Sequence, residues 1–112
     1  MSAGTYNLVV DQGSSFALDL IIKQSGAALN LTNYTGRGQL RTSHSAGSTA
    51  ASFTVTKTNA SGGALKIELS PATTAGLAAG QYVYDLEIYT ANNAIVKRIL
   101  QGDLTLTPEV TR

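Results

Sequence analysis

Short blocks in which apolar and polar residues alternate constrain this chain more than any other feature of its sequence. In the block 16–23, every second side chain is large and apolar: Phe16, Leu18, Leu20 and Ile22. Side chains two residues apart share one face of a β-strand, whereas an amphipathic helix repeats every three to four residues. Because helical spacing is nearly missing from the rest of the chain, the sequence predicts an all-β protein.

Turn-forming residues divide the chain into several such blocks. The predicted strands cover 5–10, 16–23, 38–42, 53–58, 64–69, 81–89 and 95–106, with a short extended piece at 29–32. Turn signals that recur about every 8–12 residues are typical of a β-sandwich. We therefore expect an immunoglobulin-like β-sandwich of about seven to eight antiparallel strands, in preference to a small barrel. Gly102 is expected to form a bulge or kink within the last strand.

One short helical turn is predicted near residues 70–78. Ser70 can cap its first turn, and Pro71 suits the first helical position because its missing N–H would be unpaired there anyway. The following Gly80-Gln81-Tyr82 resembles the entry to strand F of an immunoglobulin-like sandwich. Tyr82 is therefore predicted to act as a tyrosine corner, with its hydroxyl bonded to upstream backbone.

Size and charge narrow the functional classes. The 112 residues are expected to form one domain, 1–112, because a chain of this length has no room for a second core. A net charge of +1 gives no electrostatic footprint for nucleic acid or an anionic membrane. The chain has no cysteine, and residues 1–5 lack the features of a signal peptide. We expect a soluble protein that is made and kept without export.

No group of residues predicts catalysis or a cofactor. His44, the only histidine, lies between Ser43 and Ser45, and no carboxylate near it in sequence would orient it as a base. It is interpreted as a solvated loop residue. Asp11 and Asp103 offer too few oxygen ligands for calcium. The protein is expected to be neither an enzyme nor a metal or cofactor carrier.

Other polar and aromatic residues have structural interpretations. Asp85 and Glu87 are assigned to the exposed face of their strand, and Tyr82 and Tyr84 to its core face with Leu86 and Ile88. Two arginines, Arg37 and Arg41, do not make a phosphate-binding patch, and Gly36-Arg37-Gly38 lacks the strand–helix context of a phosphate loop.

Four landmarks in the sequence carry a resemblance to a known family. They are Asp11–Phe16, Leu29–Gly36 leading to Leu40-Arg41, Leu69–Leu77 before Gly80–Leu86, and Gly102–Arg112. In this order and spacing they resemble the small immunoglobulin-like modules of tailed bacteriophage virions. That group includes the N-terminal module of baseplate upper proteins and free-standing homologues in phages of cyanobacteria.

The resemblance implies a virion structural protein of the tail, neck or baseplate that binds other virion proteins and itself in a symmetric array. It implies synthesis in the cytoplasm of a bacterial host and no catalytic residue. An unpaired edge strand offers backbone groups to a partner, so we expect the first strand (5–10) or the last (103–107) to lie at an edge and dock. The candidate docking residues are Thr5, Tyr6, Leu8, Val10, Asp103, Thr105 and Thr107.

Three alternatives remain open at this point. A module of this kind could decorate a capsid as a cement protein. A carbohydrate or cell-surface binding module would use Tyr34 and the loop 43–52 as its contact. A hydrolase would use His44.

Overall fold

The computed structural model describes residues 4–24, 26–43, 45 and 47–109. Strands dominate this part of the chain, and they are joined by one short α-helix and one 3-10 turn. The strands are β1 (Gly4–Thr5), β2 (Leu8–Asp11), β3 (Phe16–Ile21), β4 (Lys23–Gln24), β5 (Ala27–Ala28), β6 (Thr35–Arg41), β7 (Ala51–Asn59), β8 (Ala64–Leu69), β9 (Gly80–Tyr89) and β10 (Val96–Thr107). The helix α1 spans Pro71–Ala75, and the 3-10 turn spans Ala91–Asn93.

The main sheet curls into two layers because one strand belongs to both. The strand order is β1-β10-β9-β6-β7-β8-β3, and β2 also pairs with β10. The beginning of β7, Ala51–Phe53, pairs with β6, whereas the rest, from Thr54 to Asn59, pairs with β8. One layer is therefore built by β1, β2, β10, β9 and β6, and the other by β8 and β3. The predicted all-β, sandwich-like fold is confirmed.

The first strands pair in a direction that the sequence did not predict. Both β1 and β2 run parallel to β10, in a register that places Gly4 beside Leu100 and Leu8 beside Leu104. The other strand pairs of the main sheet are antiparallel. A hairpin forces its two strands to be antiparallel, but nearly the whole chain separates β2 from β10, so no turn fixes their direction.

The core lies between the two layers and follows the alternation of the strands. On β9 the inward residues Tyr82, Tyr84, Leu86 and Ile88 are all buried, which confirms their assignment to the core. Leu65, Ile67 and Leu69 of β8 face them from the other layer, and Leu104 and Leu106 of β10 lie beside them in the same layer. Each such side chain contributes about 1.5–3 kcal/mol when it is fully buried. The sandwich is therefore held together mainly by this apolar contact.

The helical turn and the tyrosine corner are confirmed. Ser70 accepts a hydrogen bond from the Thr73 N–H at 3.2 Å, and Pro71 occupies the first position of α1. The Tyr82 hydroxyl donates to the carbonyl of Ala78 at 2.5 Å, across the connection between α1 and β9.

The last strand has its irregularity several residues before Gly102, the position at which the sequence predicted it. The register between β9 and β10 shifts between Arg98 and Leu100, and β10 continues without interruption through Gly102. A Cβ atom at Gly102 would overlap the carbonyl oxygen of Tyr6. Glycine is therefore needed there because the N-terminal segment approaches β10 closely.

Candidate functional site

The two ends of the curled sheet, β2 and β3, each leave one strand edge without a hydrogen-bonded neighbour among the described strands. Of the strands that the structure describes, β10 alone is hydrogen-bonded to β2, and β8 alone to β3. These two strands follow one another in the chain and are joined by residues 12–15, so the two ends of the curled sheet meet here. We call the free edges of β2 and β3 together the open side.

The β2 edge packs against the core on its inner face and carries an exposed apolar residue on its outer face. Leu8 and Val10 point into the core and are 4% and 2% exposed, whereas Val9 between them is 69% exposed. Tyr6, just before β2, is also largely exposed. The edge is thus anchored from within and presents both backbone groups and apolar surface outward.

The structure separates the sequence-predicted docking residues into two groups. The N-terminal segment lies at an edge, and the side chains of Leu8 and Val10 point into the core, so these two residues offer a partner their backbone groups and not their side chains. Alternation alone does not say which face of a strand is inward. Thr5 and Tyr6 are exposed, and Thr5 pairs with Gln101.

The last strand is not an edge. β10 lies between β9 and the pair β1 and β2, so Asp103, Thr105 and Thr107 belong to an interior strand. The Thr105 hydroxyl donates to Gln81 Oε1 at 3.0 Å, and the Thr107 hydroxyl donates to Asp11 Oδ1 at 2.7 Å. Of the two strands predicted as possible edges, only the first is one, because the parallel pairing of β1 and β2 covers the last.

A buried tyrosine fixes the segment that leads into β2. The Tyr84 hydroxyl donates to the carbonyl oxygen of Tyr6. The Tyr6 N–H donates to the Gln101 carbonyl at 2.9 Å, and the Asp103 N–H donates to Asn7 Oδ1 at 3.1 Å. Burial, and to a lesser degree the nearby phenol of Tyr6, raise the pKa of Tyr84 to about 12. The hydroxyl therefore stays protonated and keeps donating throughout the neutral range.

The connection between β2 and β3 is held by a buried threonine. The Gly13 N–H donates to Thr74 Oγ1 at 3.0 Å, and the Thr74 hydroxyl donates to the Ser14 carbonyl at 2.8 Å. Thr74 belongs to α1 and is fully buried. Positions 13 and 14 are thus fixed between the two free edges.

A glutamine joins the same connection to the C-terminal segment. The Gln12 side-chain amide donates to the Leu77 carbonyl at 2.8 Å and accepts from the Glu109 N–H at 3.0 Å. Three of the four sequence landmarks therefore meet at one end of the sandwich: those that begin at Asp11, at Leu69 and at Gly102. Their residues hold the backbone around the open side in place.

The β3 edge leaves part of the core uncovered. Phe16, Leu18 and Leu20 point inward but are only half-buried, although their pairing partners on β8 are buried. Ile21, which points outward, is 59% exposed. No described strand lies beyond β3, and this explains why its inward side chains remain partly in contact with solvent.

The free edge extends beyond β3. The Ile22 N–H donates to the Gly63 carbonyl at 2.8 Å, which continues the pairing of β3 with β8. The Ile22 carbonyl accepts from Leu29 at 2.9 Å, and β4 pairs with β5 on this same side. The hairpin of β4 and β5 thus leaves the opposite edge, from Phe16 to Gln24, without a pairing partner among the described strands.

The outer face of β6, β9 and β10 carries paired charges. Arg37 Nε lies 2.9 Å from Glu87 Oε1, and Arg98 Nε lies 3.4 Å from Asp85 Oδ2. The Arg37 guanidinium also lies 4.4 Å from the centre of the Tyr89 ring. Asp85 and Glu87 thus lie on the outward face of their strand, as predicted. Arg98 was missed, because its place beside Asp85 depends on the register across β9 and β10.

This face has a shallow depression of about 280 Å³. Its lining includes Gln39, Arg41, Asp85, Arg98 and Gln101. The side chains of the lining bond to one another, as where Arg41 donates to Gln39 Oε1 at 3.1 Å. Exposed ion pairs of this kind contribute about 0–1 kcal/mol each, and their main effect is to fix the orientation of the arginines.

Several candidates from the sequence are not assembled into a site. His44 lies outside the described residues, so its surroundings are not part of the structure. Tyr34 is half-buried and precedes β6, whereas the loop 43–52 follows that strand, so the two lie at opposite ends of it. Among the described residues, His, Cys, Asp and Glu side chains form no group of three or more that could hold a metal ion. In the same residues, no helix has the length and apolar character needed to cross a bilayer.

Comparisons with known proteins show that the fold of this chain is similar to parts of solved structures. No family model matches the sequence, and no curated protein matches it. Among solved structures, InlP of Listeria monocytogenes is similar with a TM-score of 0.51 and 13% identity, over 94% of this chain and 28% of that one. A family 123 glycoside hydrolase from Clostridium perfringens gives a TM-score of 0.46 and 13% identity, over 96% of this chain and 24% of that one. The chain thus spans about a quarter of the length of these proteins, and the likeness to InlP supports the sandwich-like fold alone.

Proposed function

We propose that this protein is a non-enzymatic structural module of a tailed-bacteriophage virion, which docks to other virion proteins and to copies of itself through its open side. The observation that carries this proposal is the β2 edge. There a strand that pairs with β10 on one side has no described strand on its other side, is anchored by Leu8 and Val10, and presents Val9, which is 69% exposed, to the outside.

A free strand edge is suited to binding another protein. Its unpaired N–H and C=O groups can form a ladder with a strand of the partner, while exposed side chains beside the ladder add specificity. Proteins usually protect such an edge with lysine or proline, and β2 has neither. The edge is also fixed before binding, because Tyr84 and Thr74 hold the segments on either side of it. A fixed edge loses little conformational entropy when a partner pairs with it.

The resemblance to phage virion modules supports the same role. Three of its landmarks build the end of the sandwich from which β2 and β3 are held, through Gln12 and Thr74. Modules of that family dock to neighbouring virion proteins and use no catalytic residue. The open side is therefore proposed as the docking surface, and the virion as the place where the protein acts.

The test is a cryo-EM map of particles released by the cells in which the protein is made, with this chain located in the density. Density for the sandwich at the tail, neck or baseplate, with a neighbour on the open side, is the expected result. Density on the head lattice would contradict the tail, neck or baseplate assignment and identify a capsid decoration protein. Absence of the chain from the particles would overturn the virion role altogether.

A further inference from the structure

The free edge of β3 carries a pattern that is complementary to itself. Its outward side chains follow the order Ala17, Asp19, Ile21 and, at the start of β4, Lys23. An exposed isoleucine therefore lies midway between an acidic and a basic residue. Asp19 and Lys23 are both exposed, and neither forms an ion pair with another described residue.

The backbone of this edge determines which residues can pair with a partner. The Ile22 N–H and C=O both point toward the side on which β8 lies, since they bond Gly63 and Leu29. Because backbone groups alternate in direction along a strand, those of Asp19, Ile21 and Lys23 point to the free edge. An antiparallel partner strand must therefore place its own outward-pointing residues opposite these three.

We infer that β3 pairs antiparallel with β3 of a second copy, around a two-fold axis that passes between the two Ile21 residues. In this register each Asp19 lies opposite Lys23 of the other copy, so two pairs of opposite charge flank the central apolar contact. Directly opposed charges of unlike sign stabilise a strand pair, whereas like charges destabilise it. A two-fold interface requires such a self-complementary arrangement.

Neighbouring registers are less favourable. A shift of the axis to Asp19 places the two carboxylates of the dimer opposite one another. A shift of the axis to Leu20 places Asp19 opposite Ile21 and leaves Lys23 opposite Ala17. Only the register centred on Ile21 pairs both charges directly and buries the isoleucine against its own counterpart.

The same pairing covers the exposed part of the core. Leu18 and Leu20 point inward but are only half-buried at this edge. A strand added to β3 would lie beside them, and its residue opposite Leu20 would be Ile22 of the second copy. The layer of β8 and β3 then continues into the other molecule. The β3 edge is no longer free, and the apolar side chains of Leu18 and Leu20 lose contact with water.

This inference rests on the proposed assembly role, for which it names a second copy as the partner of the β3 edge. The two fail separately. If the purified protein stays monomeric, the pairing of β3 with a second copy is refuted. The location of the chain on particles then still decides the virion role. If the chain is absent from particles but dimerises as described, the virion role is refuted and the pairing of the two copies is supported.

The first measurement is sedimentation velocity of the purified protein from about 1 µM to 1 mM, a range that includes weak and moderate association. A monomer–dimer equilibrium is expected. A monomer throughout this range would overturn the inference. Replacement of the central residue by a charge, Ile21→Lys, should weaken the dimer at least about tenfold. The matched control is Val96→Lys, which changes another exposed apolar strand residue and should leave the equilibrium unchanged.

A charge exchange tests the register itself. Asp19→Lys alone places lysines opposite lysines, and Lys23→Asp alone places carboxylates opposite carboxylates, so each single variant should dimerise about tenfold more weakly. An equimolar mixture of the two single variants should form a heterodimer, since each lysine then faces a carboxylate. The double variant D19K/K23D restores unlike charges across the interface and should dimerise more tightly than either single variant, although its new lysine lies opposite Lys66 of its own chain. Equal dimerisation by all of these variants would overturn the register, and a dimer unaffected by Ile21→Lys would overturn the use of this edge.

Discussion

The hydroxyl of Tyr84 donates a hydrogen bond to the backbone carbonyl of Tyr6, although 78 residues separate the two in the chain. Tyr84 lies beside Gly102 in the pairing of β9 with β10, and the carbonyl of Tyr6 lies against Gly102. The glycine therefore gives the hydroxyl room to reach the N-terminal segment. One side chain of the core thus holds the segment from which the free edge of β2 begins.

Removal of this hydroxyl should destabilise the fold. In Tyr84→Phe the ring still packs in the core, but the Tyr6 carbonyl loses its donor, which typically costs about 1–3 kcal/mol. We expect this loss in the free energy of unfolding, measured by urea denaturation at pH 7. Thr105→Val, which removes an exposed hydrogen bond to Gln81, is a matched control and should change stability by less than about 0.5 kcal/mol. Equal losses in the two variants would contradict the role assigned to Tyr84.

The stability should also depend on pH in the alkaline range. Burial raises the pKa of Tyr84 to about 12 in the folded protein, whereas an unfolded tyrosine titrates near 10.0. Below pH 10 both states hold the proton, so the contribution of Tyr84 is fully present. Between pH 10 and about 12 only the unfolded chain releases the proton, so stability falls as pH rises, by roughly 2–3 kcal/mol in total.

Tyr84→Phe separates this effect from the titration of other groups. The variant has nothing to titrate at this position, so its stability should fall less steeply above pH 10. The difference in the free energy of unfolding between the two proteins should therefore shrink from pH 9 to pH 12. A constant difference over this range would show that Tyr84 titrates alike in both states.

Local and distant contacts differ in how far the sequence reveals them. The tyrosine corner was predictable, because Tyr82 bonds a carbonyl four residues upstream and a short turn precedes it. The bond from Tyr84 to Tyr6 was not, because it depends on the parallel pairing of β2 with β10, which no turn fixes. Alternation likewise placed Phe16, Leu18 and Leu20 on one face of a strand, but an edge strand and an interior strand show the same alternation. The free edge of β3 therefore became visible only with the strand order.

The connection between the two free edges should depend on the hydroxyl of Thr74. Thr74→Val keeps the shape of the side chain but leaves the Gly13 N–H and the Ser14 carbonyl without their partner, at a cost of about 2–3 kcal/mol. Thr74→Ser keeps the hydroxyl and loses one buried methyl group, at a cost of about 1 kcal/mol. Thermal unfolding of both variants should therefore give the lower melting temperature for the valine. The reverse order would mean that packing of the methyl group, and not the hydrogen bonds, holds this connection.

Incorporation into particles should depend on the outward face of β2. Val9→Lys introduces a charge beside the free backbone groups, a device that proteins use to block strand addition. Because Val9 is 69% exposed, the fold should lose no more than about 0.5 kcal/mol, whereas docking through this edge should be lost. The variant should therefore accumulate as a folded protein and be missing from purified particles, as measured by quantitative mass spectrometry. Ile95→Lys makes the same chemical change at a residue that is 48% exposed and outside β2, and it should be incorporated normally. Normal incorporation of both variants would exclude the β2 edge as the docking surface. A deficit shared by both would trace the effect to added charge and not to this edge.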